Sequence, residues 1–386
     1  MRGMHAPITE AEARTADRHS RHAAIALAAA LPTDVVLYLL LPMYGPAFGI
    51  TLAEAGVLLA ANRLIRIVGY GWVARFYARR GDRATCTLAV AVAVACALGN
   101  AVFSGFWALL PLRLLWGLSF AALNLSTQVL ATALPLGAAA RSGRSRAFIA
   151  VGPMVALPLA AVVSEMAGPR WIFLLLACTA LAGLWATRRL PDAPHPGMDA
   201  KRQGPRRPNA LDTWSFLEGF ALDGLFIVGL SVLGRDLLPG GAVVVAGVLL
   251  ALRYGAEIVL SPLGGRMAEH WGAERLLVAL SMVTAVALVG FGTGWLWSCA
   301  AAIVVLRALQ LPLLPPIVAH RHPGPDRVRA LAARSVWRDI GAGLGPMAAG
   351  WLLPMLPAAW IYGAAALMLA AAALACARPG RQPPYE

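Results

Sequence analysis

Stretches of about twenty apolar residues, each long enough to cross a bilayer as a helix, recur along almost the whole 386-residue chain. Glycine, proline, charged and aromatic punctuation divides them into twelve predicted spans. The first six are 23–46, 52–74, 85–104, 108–133, 147–166 and 170–189; the second six are 213–234, 242–264, 276–293, 296–319, 335–353 and 357–377. The break between the third and fourth is marked only by Ser104, Gly105 and Phe106. Composition points the same way. With 13% charged and 59% hydrophobic residues, the chain has half the charge of a soluble domain, which carries about 25%. That excludes an ordinary soluble enzyme, a disordered protein and a small disulfide scaffold. Cys86, Cys96, Cys178, Cys299 and Cys376 fall inside apolar stretches without CxxC spacing and read as small core residues.

Of the 33 basic residues only Lys201 is not arginine, and their placement says more than the net charge of +14. Connections after odd-numbered spans hold only Arg170 and Arg235; the opposite connections and the tails hold 25 basic residues. Positive residues stay on the cytoplasmic side, so both termini and the central loop are expected there, in a bacterial inner membrane. The basic surface is then a topology signal, with anionic lipid headgroups as secondary partners and no nucleic acid. Trp107, Trp171, Trp295 and Trp360 near outer ends, and Trp72, Trp185, Trp214 and Trp271 near inner ends, read as interfacial anchors. Residues 23–48 are too long, and with Asp34 too acidic, for a signal peptide. The expected organisation is a tail (1–22), a six-helix bundle (23–189), a Pro-rich basic linker (190–212), a second bundle (213–377) and a second tail (378–386). No segment outside the spans is large enough to house an enzyme, and no cofactor is implied. The chain is expected to work as a monomer.

The sequence Ala55-Gly-Val-Leu-Leu-Ala60 recurs letter for letter as Ala246-Gly-Val-Leu-Leu-Ala251, an offset of 191. Further matches follow in order: Leu112-Arg113 with Leu306-Arg307, Arg141-Ser142 with Arg334-Ser335, and Gly152-Pro153 with Gly345-Pro346, at offsets of 193–194. Ordered anchors on matching spans mean two six-helix halves in parallel orientation. Twelve spans in two such halves, with a basic central loop, resemble the major facilitator superfamily over nearly the whole chain. Its loop signature G-x-x-x-D-R-x-G-R-R is echoed at Ala74-Arg-Phe-Tyr-Ala78-Arg79-Arg80-Gly81-Asp82-Arg83. It is matched better at Gly265-Arg-Met-Ala-Glu269-His270-Trp-Gly272-Ala-Glu-Arg275. The first copy has Ala78 where the family has its acid. The resemblance implies gating roles for Arg79, Arg80, Gly81, Glu269 and Gly272, with Glu269 keeping a latch between halves. It also implies a proton-relay arginine, Arg113, in Arg113-Leu-Leu-Trp-Gly117. The antiporter glycine–proline signature is partial at Gly152-Pro153, and a fuller array runs from Gly341 to Gly350. The fold expected is all-α, with twelve transmembrane helices in two pseudo-symmetric bundles.

Six arginines fall within spans (Arg63, Arg66, Arg113, Arg253, Arg307, Arg338), as do the acids Asp34, Glu218, Asp223, Glu257 and Asp339. A charge at a helix centre costs on the order of 2.5–3.5 kcal/mol, so each should face a cavity or a partner. Snorkelling to the surface accounts for Arg338, Asp339 and Glu218, but not for Asp34, Arg63 or Asp223 at mid-span. Asp34 and Asp223 are 189 apart, at comparable depth in the first and seventh spans. They are candidates for proton coupling; the alternative is that each permanently neutralises an arginine, such as Arg63 or Arg113 for Asp34. Arg63, Arg66 and Arg307 are candidates for binding a carboxylate or phosphate by bidentate hydrogen bonds; the alternative for Arg66, in the inner half of its span, is to hold the gate. Asn124 and Gln128, four apart on the fourth span, are candidates to line the same cavity, or to bond between helices.

The expected function is secondary transport of a small organic solute by alternating access, as a proton antiporter exporting an anionic or amphipathic metabolite, a siderophore or a drug. No Walker signature supplies ATP. Alternatives are a proton-coupled uptake permease for an organic anion, a transition-metal permease and a transporter-like sensor. His320, His322, Met267 and His270 offer metal ligands only at the surface.

Overall fold

The structure is a computed structural model and describes residues 9–194, 208–233, 243–324 and 326–377. Arg2, Lys201, Arg202, Arg206, Arg207, Arg235, Arg378 and Arg381 lie outside them. The described residues are helical almost throughout. α1 (Glu10–Ala30) and α2 (Pro32–Tyr44) form one run broken at Leu31. α3 (Leu52–Val102) is followed by α4 (Phe106–Ala131), α5 (Ala138–Ala167) and α6 (Trp171–Thr187). In the second half, α7 (Ala210–Glu218) passes through a π-helical turn (Gly219–Leu225) into α8 (Phe226–Leu233). Then come α9 (Val243–Trp271), α10 (Ala273–Gly292), α11 (Leu296–Gln310), α12 (Leu314–Arg321), α13 (Asp326–Leu352) and α14 (Ala358–Ala377).

Local sequence explains the ends. Thr9 with Glu12, Thr51 with Glu54 and Asn209 with Asp212 form reciprocal capping boxes. Continuous hydrogen bonding carries α3 over 51 residues, but Gly81 breaks the backbone with φ 74° and ψ −178°. At about 1.5 Å per residue α3 is more than twice as long as a bilayer core is thick, so it supplies two crossings. α1–α2, α7–α8 and α11–α12 supply one each, which brings the crossings to twelve. Among the described residues, eight stretches are long and apolar enough on their own to cross.

Several helices begin earlier than hydropathy predicts. α1 starts at Glu10 and buries Ala16, Ser20 and His22, so most of the stretch read as an N-terminal tail is helix. α5 starts at Ala138 and α13 at Asp326, about nine residues before their predicted spans. Polar helical turns project past the hydrocarbon, and a hydropathy window sees only the crossing. The difference matters for Arg141, Arg146, Arg327 and Arg334, which the sequence assigns to loops. Arg141 and Arg334 are buried, and Arg146 and Arg327 are half-buried.

Two apolar cores result. One centres on Leu27, Val36, Leu40, Phe48, Leu123 and Phe173 of the first half, the other on Trp214, Leu277, Phe291, Ile303 and Tyr362 of the second. The halves meet where α5 packs on α9 and α3 on α13. Close approach there depends on small residues: a Cβ on Gly143 would overlap the Ser261 carbonyl, and one on Gly265 the Ala139 carbonyl.

Gly81 yields a direct test. Its φ/ψ region is open essentially to glycine alone, and a Cβ would overlap the Ala193 carbonyl. Gly81→Ala is expected to destabilise the protein by about 1–3 kcal/mol. Gly71→Ala, helical and with nothing within 4 Å of the added methyl, should be neutral or stabilising. Thermal unfolding of the purified protein in detergent, followed by tryptophan fluorescence, checks both.

Candidate functional site

The first buried acid lies just past the junction of α1 and α2 at Leu31. Pro32 opens α2, and Asp34 follows in its first turn, 5% exposed. Arg113 of α4, 1% exposed, forms an ion pair with Asp34, and its Nε donates to the Leu58 carbonyl at 3.0 Å. Asn62 Nδ2 of α3 reaches both Asp34 oxygens, at 2.9 and 3.0 Å. Trp116 Nε1 donates to Thr33 Oγ1 at 2.5 Å and fixes the adjoining turn of α4.

The second half builds a richer version of the same arrangement. The π-helical turn presents Asp223 to three guanidinium groups: Arg307 at 2.5 Å, Arg338 at 2.6 Å and Arg253 at 3.0 Å. Glu218 takes Arg338 Nε at 3.1 Å, and Glu257 takes Arg307 Nη1 at 3.2 Å. Three acids thus face three arginines. The repeat maps one cluster onto the other: Asp34 corresponds to Asp223, Arg113 to Arg307, and Asn62, at the 191 offset, to Arg253. The π turn packs tightly on α13 through the glycine array, since Gly341 and Gly345 lie against the Phe216 and Phe220 carbonyls.

Between the clusters the halves are joined by polar contacts. Arg66 pairs with Asp339 at 3.1 Å and lies over the Phe120 ring at 4.6 Å. Arg63 Nη1 donates to the Ala342 carbonyl at 2.8 Å. Arg334 Nη2 donates to Gln128 Oε1 at 3.0 Å, and beside it, within the first half, Asn124 Nδ2 donates to the Tyr70 hydroxyl at 3.5 Å. Nearer the arginine-rich face, Glu269 Oε1 accepts the amides of Ala139 and Ala140, at 3.0 and 3.1 Å, at the start of α5. Arg327 Nη1 donates to the Thr132 carbonyl at 2.6 Å. These contacts close the arginine-rich side. Outside them lies a vestibule of about 1100 Å³ lined by Thr132, Glu269, Trp271, His320 and Arg327. Within the second half, a void of about 30 Å³ touches Arg253, Glu257 and Arg307 beside the apolar Leu222, Phe226, Ile227, Ile303 and Val304.

Paired helical halves around a charged midplane are the architecture of one large transporter family, and the sequence matches the description "Major Facilitator Superfamily" over residues 23–238 and 215–386. The chain belongs to the major facilitator superfamily. Among solved structures it is similar to the human organic anion transporter MFSD10 (TETRAN). That likeness has a TM-score of 0.70 at 16% identity and covers 92% of this chain and 99% of that one, and it shows the fold. No curated protein matches the sequence. The chain is therefore a secondary transporter of the superfamily type and not an enzyme.

Within this transporter the structure brings Asp34 to Arg113, and Arg307 to Asp223 and Glu257, so both mid-span acids are paired. Arg63, Arg66, Asn124 and Gln128 lie on the facing surfaces of the halves rather than in an open cavity. Arg338, Asp339 and Glu218, read from sequence as snorkelling, point inward into ion pairs instead. The two signature loops also differ. Glu269 bridges the halves, and Gly272 (φ 83°) caps α10. In the first copy Arg79 and Arg80 are exposed. Four residues past Ala78, Asp82 is fully buried and accepts hydrogen bonds from Tyr77 and Ser126 at 2.6 Å each. Sequence reasoning missed Asp82, Asn62 and Arg146; the repeat offset would have flagged Asn62, which corresponds to Arg253.

The Asp34–Arg113 pair makes a prediction. Removing one partner of a buried pair costs about 3–5 kcal/mol because the other charge is left uncompensated. Arg113→Met should lower the unfolding temperature sharply, and adding Asp34→Asn should recover much of the loss. A thermal size-exclusion assay on the purified variants reads this out.

Proposed function

We propose that the chain transports organic anions by alternating access, with the arginine-rich face in the cytoplasm of a bacterial inner membrane. The observation that carries this is a charge imbalance around the central interface. Eight arginines (Arg63, Arg66, Arg113, Arg146, Arg253, Arg307, Arg334, Arg338) meet five carboxylates (Asp34, Glu218, Asp223, Glu257, Asp339). Arg63, Arg146 and Arg334 make no ion pair with a described carboxylate. Buried guanidinium nitrogens without a hydrogen-bond partner include Arg66 Nε, Arg253 Nε, Arg307 Nε and Arg334 Nε. Surplus donors in a poorly solvated site favour a ligand that brings negative charge and acceptor oxygens, such as a carboxylate- or phosphate-bearing metabolite. The organic anions named for the human structural neighbour accord with this reading.

Proton exchange is the proposed driving force, with Asp34 as the acceptor. Asp34 has one guanidinium partner and Asp223 has three, so a single broken pair exposes Asp34 to protonation. Export is the proposed direction; the partial antiporter signature supports it, Gly152 letting α5 approach the Ala28 carbonyl of α1.

Proteoliposome counterflow with 1-naphthoate, 1-naphthylmethylamine and 1-naphthalenemethanol tests the charge preference. Naphthoate should exchange, and Arg63→Gln should raise its half-saturating concentration about tenfold, as loss of a charge-assisted bond of about 1.5–3 kcal/mol implies. Preference for the amine, or exchange of none of the three, would overturn the reading. For coupling, Asp34→Asn should retain counterflow yet lose accumulation driven by a pH gradient. Retention of both would remove Asp34 from the proton path.

A further inference from the structure

The inter-half ion pair between Arg66 and Asp339 has a repeat-related counterpart that is not formed. Arg66 on α3 corresponds at the 191 offset to Glu257 on α9, and Asp339 on α13 corresponds at the 193 offset to Arg146 on α5. The signs are reversed, so the pseudo-twofold axis that carries α3–α13 onto α9–α5 carries one complementary pair onto another. Register agrees. Ala139 lies against Gly265 and Gly143 against Ser261, so about one further antiparallel turn along α5 brings Arg146 opposite Glu257. Yet only one pair is closed: Arg66 reaches Asp339 at 3.1 Å, while Glu257 is held on its own half. Arg307 Nη1 is 3.2 Å from Glu257 Oε1, and Arg253 Nε is 3.9 Å away. Arg146 lies within electrostatic range of Glu257, Arg307, Arg338 and Glu218 and makes no ion pair with a described residue.

We propose that Glu257 exchanges partners: it rests on Arg307 when the site is empty and crosses to Arg146 when an anion occupies Arg307, completing the second closing pair between the halves. This rests on the anion-transport reading and adds what anion binding does to the gate. The void of about 30 Å³ beside Arg253, Glu257 and Arg307 gives an incoming oxygen a foothold. The Nε groups of Arg253 and Arg307, which lie 3.9 and 3.8 Å from Glu257 and Glu218 but make no hydrogen bond, give it donors. An anion that displaces Glu257 leaves the carboxylate buried beside a partnerless cation one helix away. The ligand thus stabilises the closed arrangement of α5 on α9 through a contact it does not itself make. Closure of the arginine-rich side with cargo aboard is then favoured over closure without it.

The exchange can be tested without any ligand, because Arg307→Gln frees Glu257 in the same way. Spin labels at Arg75→Cys and Arg266→Cys, exposed and repeat-related positions on α3 and α9, report opening of the arginine-rich face. The five native cysteines are replaced, and the full chain is held in lipid nanodiscs. Arg307→Gln should lower the open-to-closed ratio at least fivefold, and adding Arg146→Gln should abolish that gain. With Arg307 intact, Arg146→Gln should change the ratio less than twofold. An equal effect of Arg146→Gln in both backgrounds would overturn the proposal. If Arg307→Gln is not recovered folded, the parent saturated with 1-naphthoate replaces it with the same expectations. A second readout is naphthoate affinity. Arg146→Gln should weaken it about fivefold in the parent and leave it unchanged in a Glu257→Gln background. Equal weakening in both backgrounds would instead make Arg146 a direct ligand and end the exchange model. Failure of naphthoate to bind the parent overturns the anion reading alone, since the Arg307→Gln comparison still decides the exchange.

Discussion

The expense of placing charge in a bilayer governs this structure. A guanidinium or carboxylate in hydrocarbon must find water, a partner or a channel, and here the charged residues of the spans find one another along the inner surfaces of the two halves. The Asp34–Arg113 pair closes the first half on itself. The Glu218, Asp223 and Glu257 set does the same in the second half with Arg253, Arg307 and Arg338. Arg66 and Asp339 form an ion pair between the halves, with hydrogen bonds from Arg63, Arg327 and Arg334 and to Glu269 beside it. The ion pairs thus lie mostly within each half, and the join between them is made chiefly by the close packing of α5 on α9 and α3 on α13. Rocking one bundle against the other needs that division.

Backbone irregularities place these groups. The proline interruption after Leu31 and the π turn at Gly219–Leu225 occupy corresponding helices, and a buried aspartate lies at each. Helix interruptions of this kind recur at functional sites because they re-aim a side chain without moving the helix ends. The glycines of α13 then let the π turn approach closely enough for Arg338 to reach Asp223.

Much of this was legible in the sequence, and what was not has a common cause. Apolar length and the repeated Ala-Gly-Val-Leu-Leu-Ala segment gave the crossings and the two halves, since both are local properties. The pairing of Asp34 with an arginine could be anticipated but not assigned, because Arg63 and Arg113 lie at similar depth and only their rotation about the helix axis separates them. Arg146 and Arg334 were read as loop charges because hydropathy ends where the hydrocarbon ends, several turns before the helices do. Arg338 and Asp339 were near enough to the surface to snorkel, but their side of α13 faces the other helices. The burial of Asp82 is hidden in the sequence because Asp82 occupies a signature position where arginine is expected.

The reversed signs at Arg66 and Glu257, and at Arg146 and Asp339, also decide which halves can associate. Two copies of the first half, docked about the same axis, would set Arg66 against Arg146. Two copies of the second would set Glu257 against Asp339, and like charges across an interface oppose association. The halves are therefore keyed to each other, and a bundle released from its own partner would be refused by its twin.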